Sequence, residues 1–443
     1  MIKSLKVFQA VLLAVVIVSL AACGPAATPT AAPTTAPEPT TASAVELTLG
    51  SWRTDDAEAW GKILAAFSAK NPNITIKFDP TNPPDYNATL RTQLESGTGP
   101  DLFFVRSFAT GRDLQAQGFL VSLKDLPGLN DTFSPGALAP WATESGDPFA
   151  VPIAAVSHGV YYNQDLFEAN GIAVPTTWEE LLAAAQKLKD AGVTPFANGT
   201  KDEWDINETV LMSIIPSEVG GRDGRLAYLS GERCFNDADM VASFQQVKDL
   251  APFLPEGFEA TAYSDEQALF TQGKAAMLID GSWTIAPIEK DAPSFKWSVF
   301  PVPAPEGKDQ YQSFHVDAAI GLNAASKNQE AGKTFLQWLE TSEFNDILAN
   351  NIPGFFPMGN AATKINDPVA AAFLDFNSKA KGVDFRFPWD KLMDAPSGAE
   401  GAYGVMNAGA IAVLKDTKTP QQAADDLQTA LAAWYEPAKS CKK

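Results

Sequence analysis

Trp52-Arg53-Thr54-Asp55-Asp56 gathers an indole, a guanidinium and two carboxylates within five positions. An aromatic face beside charged hydrogen-bonding groups is equipment for holding a polar ligand. A structural use competes with that reading: Asp55 would cap the following helix and Trp52 would sit in a core. Arg106 poses the same choice, between contacting a ligand and pairing with an acidic neighbour. Catalytic constellations are thin by contrast. Two histidines and three cysteines show no metal-ligand spacing, and no Gly-x-Ser-x-Gly is present. The 53 Asp and Glu residues contain many pairs, yet none stands out as the two placed carboxylates of a glycosidase. The chain therefore reads as a binder and not an enzyme, with no cofactor and no metal.

The elements that must position these residues alternate between strand and helix. Glu46 to Ser51 alternates weakly as a strand, and Asp55 with Glu58 forms a capping box for a helix burying Trp60, Ile63, Leu64 and Phe67. Ile74 to Phe78 is the next strand, and a helix runs from about Asp85 to Glu95. Gly97-Thr98-Gly99-Pro100 ends it, and Asp101 to Val105 is apolar enough to be a buried parallel strand. Short connections between such units mean an α/β layer fold. Val151-Pro152-Ile153 closes an extended segment, Ala154 to Gly159 is small and weakly patterned, and Val160-Tyr161-Tyr162 resumes a strand. A strand that fades and restarts suits a hinge, because little bulk opposes a change of φ and ψ there. Thr177 and Glu180 box the next helix, and Ser264 with Gln267 boxes a later one before a strand at Ala275 to Ile279. Phe295 to Pro303 runs as a strand into a proline-rich return. Ala318 to Asn323 is another strand, Ser326 to Gln329 caps a helix, and Gly354-Phe355-Phe356-Pro357 breaks the pattern. Helices from Gly398 to Leu414 and from Pro420 to Trp434 finish the chain, the last with Thr419 as N-cap and proline at N1.

Both ends of the composition constrain the class. Lys3 and Lys6, an apolar run and Leu20-Ala21-Ala22-Cys23 read as a secretory signal over 1–22, with Cys23 as a lipidated N-terminus. Residues 23–44 are nearly all Ala, Thr and Pro and read as an extended tether. The remaining stretch of about 400 residues is too long for one ordinary core, so two lobes are expected. The formal charge of −20, or −22 once Lys3 and Lys6 leave with the signal, argues against nucleic acid as a partner. Cys234 and Cys441 are permitted a disulfide outside the cytosol, but two cysteines so far apart leave the pairing open.

Several segments in family order resemble the maltose-binding-protein-like solute-binding proteins of ABC importers, extracellular solute-binding protein family 1. Ser96-Gly97-Thr98-Gly99-Pro100-Asp101 is similar to that family's SGxGPD segment. Phe270-Thr271-Gln272-Gly273-Lys274-Ala275-Ala276-Met277, then Asp280-Gly281-Ser282-Trp283, is similar to its FxxGKAAM and GxW segments. Pro301-Val302-Pro303 with Gly307 resembles the return into the first lobe. The resemblance implies a periplasmic-binding-protein-like α/β fold, two α/β lobes joined by a multi-crossing hinge. Lobe one would hold 45–154 and 303–360, and lobe two 155–302 and 361–443. It further implies a membrane-anchored extracytoplasmic monomer that captures a carbohydrate and hands it to ABC permease transmembrane subunits.

A sugar needs aromatic stacking for its C–H faces and polar partners for its hydroxyls. Matched to the family, Trp52 with Asp55 or Asp56, His158, Trp204 and Trp283 fall at sugar contacts. Arg106, just after the third strand, and Asp317, Phe356 and Trp389, near the crossings, are further candidates, with His315 beside Asp317. Val156 departs from the maltose-binding pattern, which has glutamate there, and so weakens the case for maltodextrin. The rivals are a glycan-binding adhesion or sensory lipoprotein without a transporter, and a binder of a non-sugar solute. Tyr161-Tyr162 raises iron, as in iron-binding relatives, but neighbouring strand residues point to opposite faces.

Overall fold

The computed structural model describes residues 44–388, 391–393, 395–396 and 398–442. The expected signal, Cys23, the tether up to residue 43 and Trp389 lie outside the described residues. Among the described residues, no helix is long and apolar enough to cross a membrane.

Strand β1 (Val45–Ser51) runs parallel to both β2 (Ile74–Pro80) and β3 (Leu102–Val105), as expected of a strand–helix–strand series. The intervening helix Ala57–Lys70 buries Trp60, Ile63, Leu64 and Phe67, the face its apolar spacing dictates. Two long strands then organise the rest: β4 (Val151–Asn163) and, beyond β5 (Thr194–Phe196), β6 (Ala275–Gly281) and β7 (Trp297–Phe300), β8 (Tyr311–Leu322). The sheet order is β2-β1-β3-β8-β4-β6-β5, with β7 and the short β9 (Phe356–Pro357) on β4 and β10 (Gly382–Asp384) on β8.

The expected break within 151–163 is absent; β4 is a continuous 13-residue strand. Its run of small residues marks an exchange of partners instead. Val151 to Ser157 pairs with β8, with register shifts at Ala154, whereas His158 to Tyr162 pairs with β6. Small side chains let these neighbours close in: a Cβ on Gly159 would meet the Phe300 carbonyl oxygen and the Phe373 ring, both at 3.0 Å. The apolar interior divides at the same place. One cluster draws on Leu47 to Val156 and Val316 to Phe355, with Trp283. The other two draw on Val160 to Val302 and Phe356 to Ala438. Tyr161 and Tyr162 enter different clusters, as opposite faces of one strand must.

Two of the predicted caps form. Thr177 accepts from Glu180 N at the start of Trp178–Asp190, and Thr419 exchanges hydrogen bonds with Gln422 ahead of Pro420–Ala432. Asp55 does not cap. The N-cap position falls to Asp56, whose carboxylate makes no cap bond because Arg53 holds it. Ser264 lies inside Tyr263–Thr271, where Asp265 accepts from Ala262 N, and Ser326 gives way to Asn328 as N-cap of Gln329–Trp338. Cys234 and Cys441 are joined in a disulfide with a Cα–Cα distance of 5.2 Å.

Candidate binding site

A cavity of about 410 Å³ lies where chain leaving β1 and β3 faces chain leaving β6. Trp52, Arg53 and Asp55 follow β1 on one wall, and Arg106 and Ser107 follow β3. The opposite wall holds Trp204 and Glu208 from the helical stretch after β5, Tyr263, and Trp283 just past β6. Asp317 of β8, Arg386 and Tyr403 line it as well. Groups at strand ends facing a crevice are the usual placement for ligand contacts in α/β sheets.

Trp52 serves both readings of its segment. Its edges pack against Tyr86 and Phe104 at centroid distances of 5.5 and 5.2 Å, while the Arg106 guanidinium lies over its ring at 3.8 Å. Arg106 has no ion-pair partner among the described residues, so its donors stay available to a ligand. Arg53 is committed: Nε and Nη2 donate to Asp56 at 2.5 and 3.0 Å, and Nη2 reaches the Trp283 carbonyl oxygen at 3.4 Å. Asp56 is consequently buried away from the cavity, and the solvent-facing Asp55 lines it.

The far wall is tied together by polar contacts. Arg386 Nη1 donates to Glu208 at 2.6 Å, Tyr403 donates to the other Glu208 oxygen at 2.5 Å, and the Arg386 guanidinium lies 5.5 Å from the Trp283 ring centroid. Trp204 tilts against Tyr263 at 4.9 Å. Asp317 is only 9 % exposed and has no hydrogen-bond partner among the described residues. Burial raises its carboxyl above the usual range despite Arg106, Arg386 and Arg53 nearby. A buried acceptor without a partner is poised for a donor that the ligand would bring.

Three of the remaining candidates sit elsewhere. His158 is fully buried behind the cavity, its Nε2 3.0 Å from His315 Nε2, its Nδ1 3.0 Å from Ser213 Oγ, and its ring edge-on to Trp283 at 5.4 Å. His315 is likewise buried, and burial followed by Arg386 holds both imidazoles well below their usual range. Phe356 pairs with Ala155 and packs on Phe314 in the core instead of lining the cavity. Sequence reasoning overlooked Glu208, Tyr263, Arg386 and Tyr403. Glu208 stands four residues after Trp204, one helical turn on, and Arg386 is flanked by two phenylalanines; both patterns were readable signals. Tyr403 carries none.

Comparison with known proteins puts this geometry in context. The sequence model of a family described as bacterial extracellular solute-binding protein matches residues 50–346. A binding protein of Brucella abortus (strain 2308) is 27 % identical over 387 residues, 85 % of this chain and 92 % of that one. The multiple sugar-binding protein of Streptococcus mutans is 25 % identical over 291 residues, 63 % of this chain and 67 % of that protein. Among solved structures, a chitin oligosaccharide binding protein superposes with a TM-score of 0.74 at 24 % identity, covering 89 % of this chain and 99 % of that one. RafE in complex with raffinose gives 0.71 at 21 % identity, covering 89 % and 100 %.

Proposed function

Because the chain belongs to the bacterial extracellular solute-binding proteins, we propose that it captures a sugar or oligosaccharide in the cavity between two lobes and delivers it to the permease subunits of an ABC importer. The lobes are 45–154 with 303–360, and 155–302 with 361–443, and Cys23 anchors the monomer to the membrane by its acyl chains. The observation that carries this reading is the cavity's chemistry. Indoles from both walls, Trp52 against Trp204 and Trp283, offer stacking faces, while Arg106, Asp55 and Asp317 offer hydrogen bonds not taken among the described residues. That mix suits a neutral ligand with apolar faces and many hydroxyls, and the raffinose, chitin-oligosaccharide and multiple-sugar binders among its relatives bind such molecules.

Capture follows from the two-sided lining. A ligand touching both walls binds the closed arrangement better than the open one, and that differential affinity shifts the population toward closure. Titration calorimetry and thermal-shift measurements over a panel of mono- and oligosaccharides test the proposal. At least one sugar should bind reversibly without being hydrolysed. A panel with no binder, beside a non-sugar solute that stabilises the protein, would overturn it.

A further inference from the structure

The Trp283 ring is held from behind by a chain of hydrogen bonds. Its Nε1–H donates to the Tyr263 hydroxyl at 2.7 Å, and that hydroxyl lies 3.1 Å from Asp280 Oδ2. Thr284 Oγ1 stands 3.0 Å from the same hydroxyl and donates to Asp280 Oδ2 at 2.5 Å, while Gly281 N–H donates to Oδ1 at 2.7 Å. Trp283 and Tyr263 line the cavity; Asp280 is fully buried behind them. An indole N–H can only donate, so the Tyr263 oxygen accepts and its own proton points onward. With Asp280 ionised, N–H to O–H to carboxylate is polarised in one direction and ends in a charge-assisted bond. Protonating Asp280 places a new O–H in the ring formed by its own Oδ2, Tyr263 and Thr284. Tyr263 then accepts from Asp280 as well as from Trp283, and the indole loses its polarised partner.

We propose that Asp280 is a positioning residue for ligand binding: through Tyr263 its carboxylate fixes the Trp283 indole in the cavity wall, and ligand affinity is thereby linked to the Asp280 proton. This rests on the reading of the cavity as the ligand site. The charged and titratable groups around Asp280 come from every packed element: Arg53 after β1, Tyr161 on β4, Asp205 at the end of Glu203–Asp205, and Tyr263 and Glu266 on Tyr263–Thr271. Burial raises Asp205 well above the carboxylate range, and burial together with Asp205 does the same to Glu266. Burial raises Asp280 to about 7 against the pull of Thr284, Gly281 N–H, Tyr263 and Arg53. Burial and then Arg386 hold both histidines well below their usual range.

Two measurements test the relay. In the ligand-free protein, the Trp283 indole N–H resonance, identified by its loss in Trp283→Phe, should shift with a midpoint near pH 7. It should stay fixed in Asp280→Asn. In Thr284→Val the midpoint should move upward, because the ionised form loses a donor. In calorimetry with a bound carbohydrate, wild-type affinity should fall roughly three- to tenfold as pH drops from about 8.5 to about 5.5, and Asp280→Asn should flatten the profile. A wild-type indole resonance that ignores pH, or the same titration in Asp280→Asn, overturns the relay; should that variant not fold, an unmoved midpoint in Thr284→Val does so. If the indole titrates but no carbohydrate binds, the ligand reading fails while the relay stands. If a sugar binds with pH-independent affinity, the relay fails while the ligand reading stands.

Discussion

At the scale of single residues, the cavity separates groups that fold the protein from groups it leaves unsatisfied. Arg53 spends its donors on Asp56, and Glu208 is saturated by Arg386 and Tyr403. Asp317 differs from them: it is buried, has no hydrogen-bond partner among the described residues, and is held above the usual carboxylate range chiefly by desolvation. A charge kept at such a place costs stability in the free protein and is compensated only when a ligand supplies donors. The sign follows. A raised carboxyl contributes stability that is present below its unfolded value and lost as pH rises through its folded value. Asp317→Asn should therefore raise the unfolding midpoint of the ligand-free protein near neutral pH and remove part of that pH dependence. The same variant should weaken carbohydrate binding about tenfold or more, since a ligand hydroxyl then meets an amide in place of a carboxylate. Scanning calorimetry and titration calorimetry on one preparation check both halves. Trp283→Ala is expected to weaken binding by at least as much, because it removes a stacking face as well as the end of the Tyr263 relay. An unchanged dissociation constant in either variant would remove that residue from the site.

Elements were legible in the sequence where one signal decided them, and illegible where two competed. Alternating or continuously apolar runs located β1, β2 and β3, and a capping box located the start of Trp178–Asp190. Asp55 misled because the capping pattern is local, whereas the neighbouring Asp56 is claimed by Arg53 in a buried ion pair that a cap bond cannot match. The small residues of 154–159 misled for a similar reason: weak patterning reads as a break, yet here it reflects a strand with partners on both edges. The cavity was half legible. Trp52, Arg106, Trp204 and Trp283 announce themselves by type and place, but Tyr263 and Tyr403 reach it only through tertiary packing. The break expected at 354–357 holds the short β9 paired with β4, and its glycine shows how closely the chain packs there. Gly354 has φ 91°, and a Cβ there would stand 1.8 Å from the Ser282 carbonyl oxygen. Moreover, Ser282 Oγ donates to the Gly354 oxygen at 2.5 Å, just before Trp283. Gly354→Ala should thus destabilise the protein by more than about 1 kcal/mol and disturb the Trp283 wall with it. Denaturant midpoints beside ligand affinity would show both losses together; a variant as stable as the parent would mean the backbone here can yield.

For the whole molecule, the disulfide and the long strands do different work. Cys234–Cys441 closes a sequence separation of 207 residues and ties the chain's end beside the loop before Ala238–Asp249, and neither cysteine lines the cavity. Cross-linking so long a loop restricts the unfolded chain, and its removal should cost about 2–5 kcal/mol while leaving sugar affinity unchanged. Cys234→Ser with Cys441→Ser, compared by denaturant unfolding and titration, checks that split. β4 and β8, in contrast, pass through both halves of the structure, so any relative motion must be absorbed along them and at the β9 return. β4 changes partner between Ser157 and His158, and His158 meets His315 of β8 across that point. Bending there is cheap in side-chain bulk but must keep the imidazole contact or break it. Under the proposed function, closure about this line would let a cavity built from both halves admit a ligand and then surround it. On this basis, a saturating sugar at about a hundred times its dissociation constant should stabilise the protein by about 2.7 kcal/mol. The same addition should reduce the radius of gyration measured by small-angle scattering. Stabilisation without compaction would mean the ligand enters a cavity already closed, and the pivot at Ser157–His158 would lose its role.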